Sequence, residues 1–292
     1  MAGSTSSPSS VTDQPATNFM NIDSHVHFWK YSKNRDTWMN DMKVLQQDYL
    51  PEHLLLNLKR NGFDGCVAVQ ADQSELETRF LIELAKTHEI IKGVVGWIDL
   101  SAANIEERLQ HFSANDYIKG YRHIVQAEPA GFLMNENFLR GISALQKYNY
   151  TYDVLIHYYQ LPDAVKFISK FPDQKLVIDH CAKPDIKNRE MGEWKKYMQE
   201  ISLQQNVCCK LSGLFTEAAW KGWSVNEFYP YLDVVFEYFG VNRLMFGSDW
   251  PVILVSGMYV QWKSLLENYM QDFDSEAKGK IFGLNAIQFY NL

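Results

Sequence analysis

The sequence predicts an α/β fold, a single-domain (β/α)8 TIM barrel, and three observations support this prediction. Eight short apolar segments recur along the chain, and stretches with helical spacing lie between them. A length of 292 residues suits one such barrel. No Gly-x-Gly-x-x-Gly motif follows the first apolar segment and no P-loop motif occurs, which disfavours a doubly wound nucleotide-binding sheet.

The eight predicted strands are dense in Val, Ile, Leu and Cys and show little alternation of apolar and polar residues. Strands that are buried on both faces have this composition. In chain order they are Phe19–His25, Gly65–Ala71, Ile90–Ile98, Ile118–Ile124, Thr151–His157, Leu176–His180, Val207–Ser212 and Leu244–Asp249.

The predicted helices lie between these strands. The clearest is Glu75–Thr87, in which Leu76, Phe80, Leu81 and Leu84 share one face opposite charged residues. The others are Pro51–Lys59, Leu161–Ser169, Asn226–Phe239 and Gln261–Tyr269.

Composition limits the binding partners and the cellular location that we expect for this protein. A net charge of −7 and a pI near 5.6 disfavour nucleic acid or an anionic membrane, and no apolar run is long enough to span a bilayer. Residues 1–18 are rich in Ser, Thr, Pro and Ala and are predicted to be a disordered tail before a barrel domain at 19–292. The four cysteines lie in or beside apolar segments, as reduced thiols of a cytoplasmic protein do. A monomer and a homodimer are both compatible with the sequence.

Polar residues gather where the predicted strands end. Active sites of these barrels lie at the carboxyl ends of the strands. Strand one delivers His25 and His27, which are two residues apart and therefore point the same way. The later strands deliver Gln70, Arg122, His157, His180, Lys210 and Asp249. The sequence therefore predicts a functional constellation on one rim of the barrel.

Two chemical interpretations of this constellation remain open. In the first, His25, His27, His157 and Asp249 bind one divalent metal ion, preferably zinc and alternatively manganese, and His180 orients the attacking water. In the second, no metal is needed, because Asp249 takes a proton from water while the histidines and Arg122 stabilise the carbonyl oxygen.

The remaining candidates are predicted to bind substrate. Arg122, Gln70 and Lys210 would contact substrate oxygens, and Trp29 would form an aromatic wall of the pocket. A binuclear metal site is disfavoured, because Lys119 begins strand four at the wrong end of the barrel. Asp179 directly precedes His180, so alternation predicts that it faces away from His180 and has a structural role.

Seven segments in this order resemble the amidohydrolase superfamily, and within it the sugar-lactonase branch that contains L-fuconolactonases and L-rhamnono-lactonases. They are Ile22–Trp29, Val69–Ala71, Gly93–Leu100, Gly120–His123, Val177–Pro184, Cys209–Gly213 and Phe246–Pro251. The resemblance covers nearly the whole chain after the tail.

The resemblance implies hydrolysis of a sugar-derived lactone by water that attacks the carbonyl. It also implies that His25, His27, His157 and Asp249 hold a metal, that His180 sits beside the water, and that Asp249 is the base in relatives that work without metal. Two other reactions remain as alternatives: metal-dependent decarboxylation of an unsaturated carboxylic acid, and hydrolysis of an aromatic-derived dicarboxylate lactone.

Overall fold

Eight parallel strands pair in consecutive order from β1 to β8, and helical segments follow them around the barrel. This computed structural model describes residues 19–292. The predicted (β/α)8 barrel is confirmed. The predicted tail at 1–18 lies outside the described residues.

The bounds of the elements are as follows. The strands are β1 Ile22–Val26, β2 Gly65–Val69, β3 Ile91–Gly96, β4 Ile118–His123, β5 Thr151–Val154, β6 Leu176–Ile178, β7 Val207–Leu211 and β8 Leu244–Phe246. The α-helices are α1 Pro51–Asn61, α2 Glu75–Thr87, α3 Ile105–Phe112, α4 Glu136–Gln146, α5 Leu161–Ser169, α6 Gly192–Ser202, α7 Leu214–Glu217, α8 Tyr229–Phe239, α9 Tyr259–Tyr269, α10 Ser275–Gly279 and α11 Asn285–Tyr290. No described helix is long and apolar enough to cross a membrane.

Several strands end earlier than the sequence predicts. Strand β6 ends at Ile178 and β8 ends at Phe246, so His180 and Asp249 lie in the turns that follow rather than in the strands. His157 likewise follows β5. Leu155 and Ile156 continue the apolar segment past β5, and the chain stays buried past β6 and β8, so the sequence pattern alone does not mark where the ladder of hydrogen bonds stops.

The two faces of the strands have different partners. The outward face packs against the helices and forms the main core, in which Leu81, Phe138 and Met198 are fully buried. The inward face begins with an apolar layer that includes Val67 and Met245 and that packs on helix α11. The next inward layer toward the carboxyl ends of the strands is charged, and it forms the floor of the site described below.

Helix α2 packs Leu81, Phe80 and Leu84 of the predicted face against the core, but not Leu76. Leu76 is 75% exposed, whereas Glu77 and Thr78 are buried. Ser74 caps the helix by accepting a hydrogen bond from the Glu77 N–H at 3.2 Å. Thr78 exchanges hydrogen bonds with the backbone of Trp97 at the end of β3. The predicted face is wrong at Leu76, because these polar contacts to the neighbouring loops set the rotation of the helix.

Strands β1 and β8 meet at a seam that side chains and loops close. The chain after each strand bonds to the other: the His27 N–H donates to the Trp250 carbonyl at 2.7 Å, and the Asp249 N–H donates to the His25 carbonyl at 2.9 Å. Asp23 accepts from the Ser248 N–H at 2.9 Å. The seam therefore holds the His-x-His pair directly beside Asp249.

Candidate active site

Three potential ligand atoms meet at the seam between β1 and β8. His25 Nε2 lies 3.2 Å from His27 Nε2, and His27 Nε2 lies 3.3 Å from Asp249 Oδ1. His25 Nε2 and Asp249 Oδ1 are 3.8 Å apart. All three side chains are buried, with at most 5% of each exposed. The sequence-predicted association of these three residues is therefore present.

Hydrogen bonds on the far side of each ring orient the two histidines. His27 Nδ1 lies 2.8 Å from the Val69 carbonyl, which can only accept, so Nδ1 donates this hydrogen bond and Nε2 faces His25 and Asp249. His25 Nδ1 lies 3.4 Å from Asp179 Oδ1 and 3.1 Å from Lys210 Nζ. Burial and the nearby Lys210 charge hold the pKa of His25 well below its usual range, so this imidazole is neutral at pH 7.

His180 approaches the same group from the turn after β6. Its Nε2 lies 3.9 Å from Asp249 Oδ1, and its Nδ1 lies 2.8 Å from the hydroxyl of Ser212. Burial lowers the pKa of His180 to about 4 despite the opposing charges of Asp249 and Asp179. The ring is therefore neutral at pH 7, and its side toward Asp249 can exchange a hydrogen bond with a water or substrate.

Asp249 is held as a carboxylate. Burial alone would raise its pKa, but the neighbouring rings of His180, His27 and His25 outweigh burial and lower the pKa below its usual range. Its backbone is in the left-handed region with φ of 58°, which is uncommon for a residue other than glycine. Such conformations concentrate at functional sites, where the surrounding structure enforces them.

A buried charged layer lies beneath these residues. Lys210 Nζ lies 2.6 Å from Asp153 Oδ2 and 3.1 Å from Asp179 Oδ1, and both side chains of each pair are fully buried. Arg122 Nη1 lies 3.1 Å from Asp179 Oδ2. Tyr290, from the last helix, donates to Asp153 Oδ2 at 2.8 Å. The chain Tyr290–Asp153–Lys210–His25 therefore links the C-terminal helix to the active site.

A cavity of about 330 Å³ opens above this group. Its polar lining includes His27, Arg122, His180, Lys183 and Asp249. Its other walls are Trp38, Ala71, Gln73, Ile124, Gln126, Ala127, Leu155 and Val252. Apolar walls with a few convergent polar groups are typical of a small-molecule site.

Three predicted substrate-binding residues lie behind the cavity rather than in its lining. Gln70 is fully buried, and its amide nitrogen donates to the Arg122 carbonyl at 3.2 Å. Lys210 is occupied by the buried carboxylates. Trp29 is 2% exposed, donates to the Gln47 carbonyl at 2.9 Å and borders a separate cavity of about 280 Å³. Of the four residues predicted to bind substrate, Arg122 lines the active-site cavity.

His157 is not brought into the group of ligand atoms. Its ring stacks on Tyr159 at a centroid distance of 5.2 Å. Among the described residues, the His, Cys, Asp and Glu groups with ligand atoms within 4.8 Å of one another are His25–His27–Asp249 and His25–Asp179–His180. Three of the four predicted metal ligands, His25, His27 and Asp249, therefore lie together, and His157 lies apart from them.

Sequence analysis missed Asp153 and Asp179 as parts of the site. Val177 and Asp179 alternate on the inward face of β6 and its end, as Thr151 and Asp153 do on β5. Asp179 contacts His25 and Arg122, so the structural role predicted for it would be exercised directly beneath the site. A left-handed turn after Asp179 swings His180 to the same side, which breaks the alternation that the prediction assumed. The usable signal was a charged residue on or just after each of four successive strands: Arg122 on β4, Asp153 on β5, Asp179 after β6 and Lys210 on β7.

The first of the two groups fits a divalent metal better than the second. A tetrahedral zinc ion with bonds of about 2.1 Å holds its ligand atoms about 3.4 Å apart, close to the spacings of His25, His27 and Asp249. The far nitrogen of His27 meets a carbonyl, the usual support for metal-bound imidazole, and that of His25 lies near the Asp179 carboxylate as well as the Lys210 ammonium. In the second group, the Asp179 carboxylate is already paired with Lys210 and Arg122, so it has less capacity to bind a cation.

Comparisons with known proteins agree with this geometry. A family model described as amidohydrolase matches residues 22–292. An L-fucono-1,5-lactonase of Burkholderia multivorans is 36% identical over 94% of this chain and 96% of its own length. An L-fucono-1,5-lactonase of Burkholderia ambifaria is 31% identical over 93% of this chain and 95% of its own length.

A solved structure is similar over almost the whole chain. The crystal structure of an amidohydrolase from Burkholderia multivorans with bound zinc superposes with a TM-score of 0.91 at 36% identity, over 94% of this chain and 99% of that one. A carboxyvanillate decarboxylase from Novosphingobium aromaticivorans is 13% identical with a TM-score of 0.63, so it shares the fold alone.

Proposed function

This chain belongs to the amidohydrolase family, and from that premise we propose that it is a hydrolase that opens the ring of a sugar-derived lactone of the L-fucono-1,5-lactone type. The relatives support the substrate class. The single observation that carries the reaction is the cluster of His25, His27 and Asp249 on the floor of an open cavity, with neutral His180 beside it. This cluster combines a proton acceptor with groups that stabilise charge on a carbonyl oxygen.

Asp249 is the proposed general base. Its carboxylate is ionised at neutral pH and lines the cavity, so it can accept a proton from a water that attacks the lactone carbonyl. His180, fixed by Ser212, orients that water. Attack forms the new carbon–oxygen bond, and the bond to the ring oxygen then breaks. The ring oxygen leaves as an alcohol after taking back a proton from the Asp249–His180 pair.

The oxygen of the carbonyl gains negative charge during attack. The Arg122 guanidinium lines the cavity and lies 3.3 Å from His25 Nε2, so it supports that charge without reorganisation. His25, His27 and Asp249 are the residues that would hold a divalent ion, which when bound supplies Lewis-acid activation of water and of the ester carbonyl.

The two alternative substrates receive less support from the cavity. A dicarboxylate lactone calls for several free cationic groups, whereas the two cations among the described lining residues, Arg122 and Lys183, are each paired with a carboxylate. No contact of these lining residues specifically favours decarboxylation. The apolar walls and separate polar groups suit a neutral, hydroxyl-bearing ring.

A proton-release assay tests the proposal. L-fucono-1,5-lactone, L-rhamnonolactone and D-glucono-1,5-lactone are compared after subtraction of spontaneous hydrolysis. The enzyme is assayed as purified, after exhaustive chelation, and after restoration with zinc or manganese. We expect fast turnover of an L-sugar lactone. Absence of catalysed hydrolysis for every lactone in all three states, with carbon dioxide released from an unsaturated acid, would overturn the proposal.

A further inference from the structure

Four successive residues after β6 adopt the left-handed backbone conformation, and none of them is glycine. The φ angles of His180, Cys181, Ala182 and Lys183 are 54°, 52°, 57° and 48°. The Lys183 N–H donates to the His180 carbonyl at 2.8 Å and closes the turn. Left-handed helical backbone is unfavourable for L-residues, because the Cβ atom comes too close to the following carbonyl oxygen. A run of this kind persists only where the surrounding structure enforces it, which is commonest at functional sites.

Three neighbours enforce the left-handed turn. The indole N–H of Trp194 donates to the Cys181 carbonyl at 2.7 Å, and the Cys181 thiol lies 3.3 Å from the Lys210 carbonyl. Gly213 makes room for the His180 ring, because a Cβ at position 213 would lie 2.6 Å from that ring. The turn is therefore a built feature of the barrel rim.

The left-handed turn brings two functional side chains into one cavity. His180 and Lys183 lie at the two ends of the turn, and both line the active-site cavity. Lys183 is the second cation of that lining, beside Arg122, among the described residues. Packing does not require a charge at this wall, and Glu217 is the carboxylate that pairs with it.

The two cations of the cavity differ in how firmly they are held. Arg122 is bonded to Asp179 and to the Gln70 carbonyl, so its guanidinium is fixed. Lys183 Nζ lies 3.6 Å from Glu217 Oε1, which is an ion pair longer than a hydrogen bond. Its side chain is 16% exposed. The Lys183 ammonium can therefore turn to a ligand while Glu217 keeps it near the cavity.

We propose that Lys183 is a substrate-binding residue whose ammonium donates to oxygens of the bound lactone and, more strongly, to the carboxylate of the opened product. The proposal rests on the proposed lactonase function, because that reaction converts a neutral ring into an anion inside the cavity. Glu217 is the competing carboxylate that holds the ammonium when no anion is bound. Lys183 therefore sets the affinity for product more than for substrate.

Two variants with opposite expected effects test this assignment. Binding of L-fuconate is measured by titration calorimetry, and KM for L-fucono-1,5-lactone and inhibition by L-fuconate are measured by proton release. We expect Lys183→Met to weaken L-fuconate binding at least tenfold and to raise KM by a smaller factor. Glu217→Gln removes the competitor, so it should tighten L-fuconate binding several-fold. Lys187→Met, at an exposed position four residues further on, is the control and should change neither value.

The outcomes separate this proposal from the proposed function. Wild-type lactonase activity together with unchanged L-fuconate affinity in Lys183→Met would overturn the role of Lys183 alone. Weaker binding in Glu217→Gln would also overturn it, because the pair would then be a structural unit. A wild-type enzyme that hydrolyses no lactone would overturn the proposed function and this inference with it. If Lys183→Met fails to fold, the change of L-fuconate affinity in Glu217→Gln still tests the role of Lys183, because tighter binding supports it and weaker binding overturns it.

Discussion

His25 stands between two environments that assign different tasks to its two nitrogens. Its Nε2 faces His27 and Asp249 at the cavity floor, while its Nδ1 faces the buried charges of Lys210 and Asp179. The His25 ring therefore contacts the proposed catalytic residues on one side and the buried ion pairs that support them on the other. Asp249 belongs to the first environment and Lys210 to the second, so replacing them should have different consequences.

Replacing Asp249 with Asn should lower kcat by at least two to three orders of magnitude, because the amide cannot accept the proton from water. The amide has nearly the same shape, so the melting temperature should stay close to that of the wild type at matched metal content. The measurement is kcat on the best lactone of the panel. Near-normal turnover would show that Asp249 is not the base.

Replacing Lys210 with Met should destabilise the fold by about 3–5 kcal/mol, because it leaves the Asp153 and Asp179 carboxylates without their buried cation. Tyr290→Phe removes one hydrogen bond to a charged group and should cost less, about 1.5–3 kcal/mol. Urea unfolding of both variants measures the difference. Wild-type stability in Lys210→Met with a raised KM would instead support the substrate-binding role that the sequence predicted.

At the scale of single elements, helix α2 positions the loop that follows β2. Glu77 in its first turn points back and accepts hydrogen bonds from the N–H groups of Ala71 and Asp72, the latter at 3.0 Å. Ala71 lines the active-site cavity. Burial raises the pKa of Glu77 to about 7 even though these backbone hydrogen bonds oppose the shift. The protonation of Glu77, in the first turn of α2, is thus coupled to the loop that forms one wall of the cavity.

The sign of this linkage follows from the raised pKa. The folded chain binds the Glu77 proton more tightly than the unfolded chain, so the contribution of Glu77 to stability is largest below pH 4.5 and is lost as pH rises to about 7. Glu77→Gln keeps an acceptor for both N–H groups and has no charge to desolvate. Its free energy of unfolding relative to wild type should rise by up to about 3 kcal/mol between pH 4.5 and pH 8.

Urea unfolding of wild type and Glu77→Gln across this pH range checks the prediction. Other titrating groups act on both proteins and cancel in the difference. Glu83→Gln, on an exposed position of the same helix, should show a flat difference. A stability difference for Glu77→Gln that is flat, or that falls as pH rises, would contradict the assignment.

At the scale of the whole molecule, the apolar pattern of the sequence predicted the barrel and the rim that holds the site. Buried parallel strands have near-continuous apolar segments, and their order in the chain is their order in space. The same pattern could not locate strand ends or show which inward side chains pair with one another. It therefore left His157 in the predicted ligand set, and it left Lys210, which pairs with the Asp153 and Asp179 carboxylates, in the predicted pocket. The strand register, which pairs Arg122 with Asp153, is needed to see that the inward charged residues lie next to one another.

The candidate metal ligands lie where the barrel closes, so we expect metal binding to change the stability of the whole barrel. His25 lies in β1 and His27 directly after it, while Asp249 lies after β8. Strands β1 and β8 are the two strands at the seam. A ligand that bridges them stabilises the closed barrel as well as the site. Zinc at one hundred times its Kd should then add about 2.7 kcal/mol to the free energy of unfolding. His27→Ala should lose this increment, because one of the three ligands is gone.

Thermal unfolding of chelated protein, with and without added zinc, measures this increment. Lys187→Met, which lies outside the ligand cluster, should gain as much from zinc as the wild type. If chelated protein hydrolyses the lactone at full rate and zinc leaves its melting temperature unchanged, Asp249 and the histidines act without a metal. A metal effect on stability that persists in His27→Ala would place the ion elsewhere. A zinc increment present in wild type and absent in His27→Ala would tie closure of the barrel and catalysis to the same three side chains.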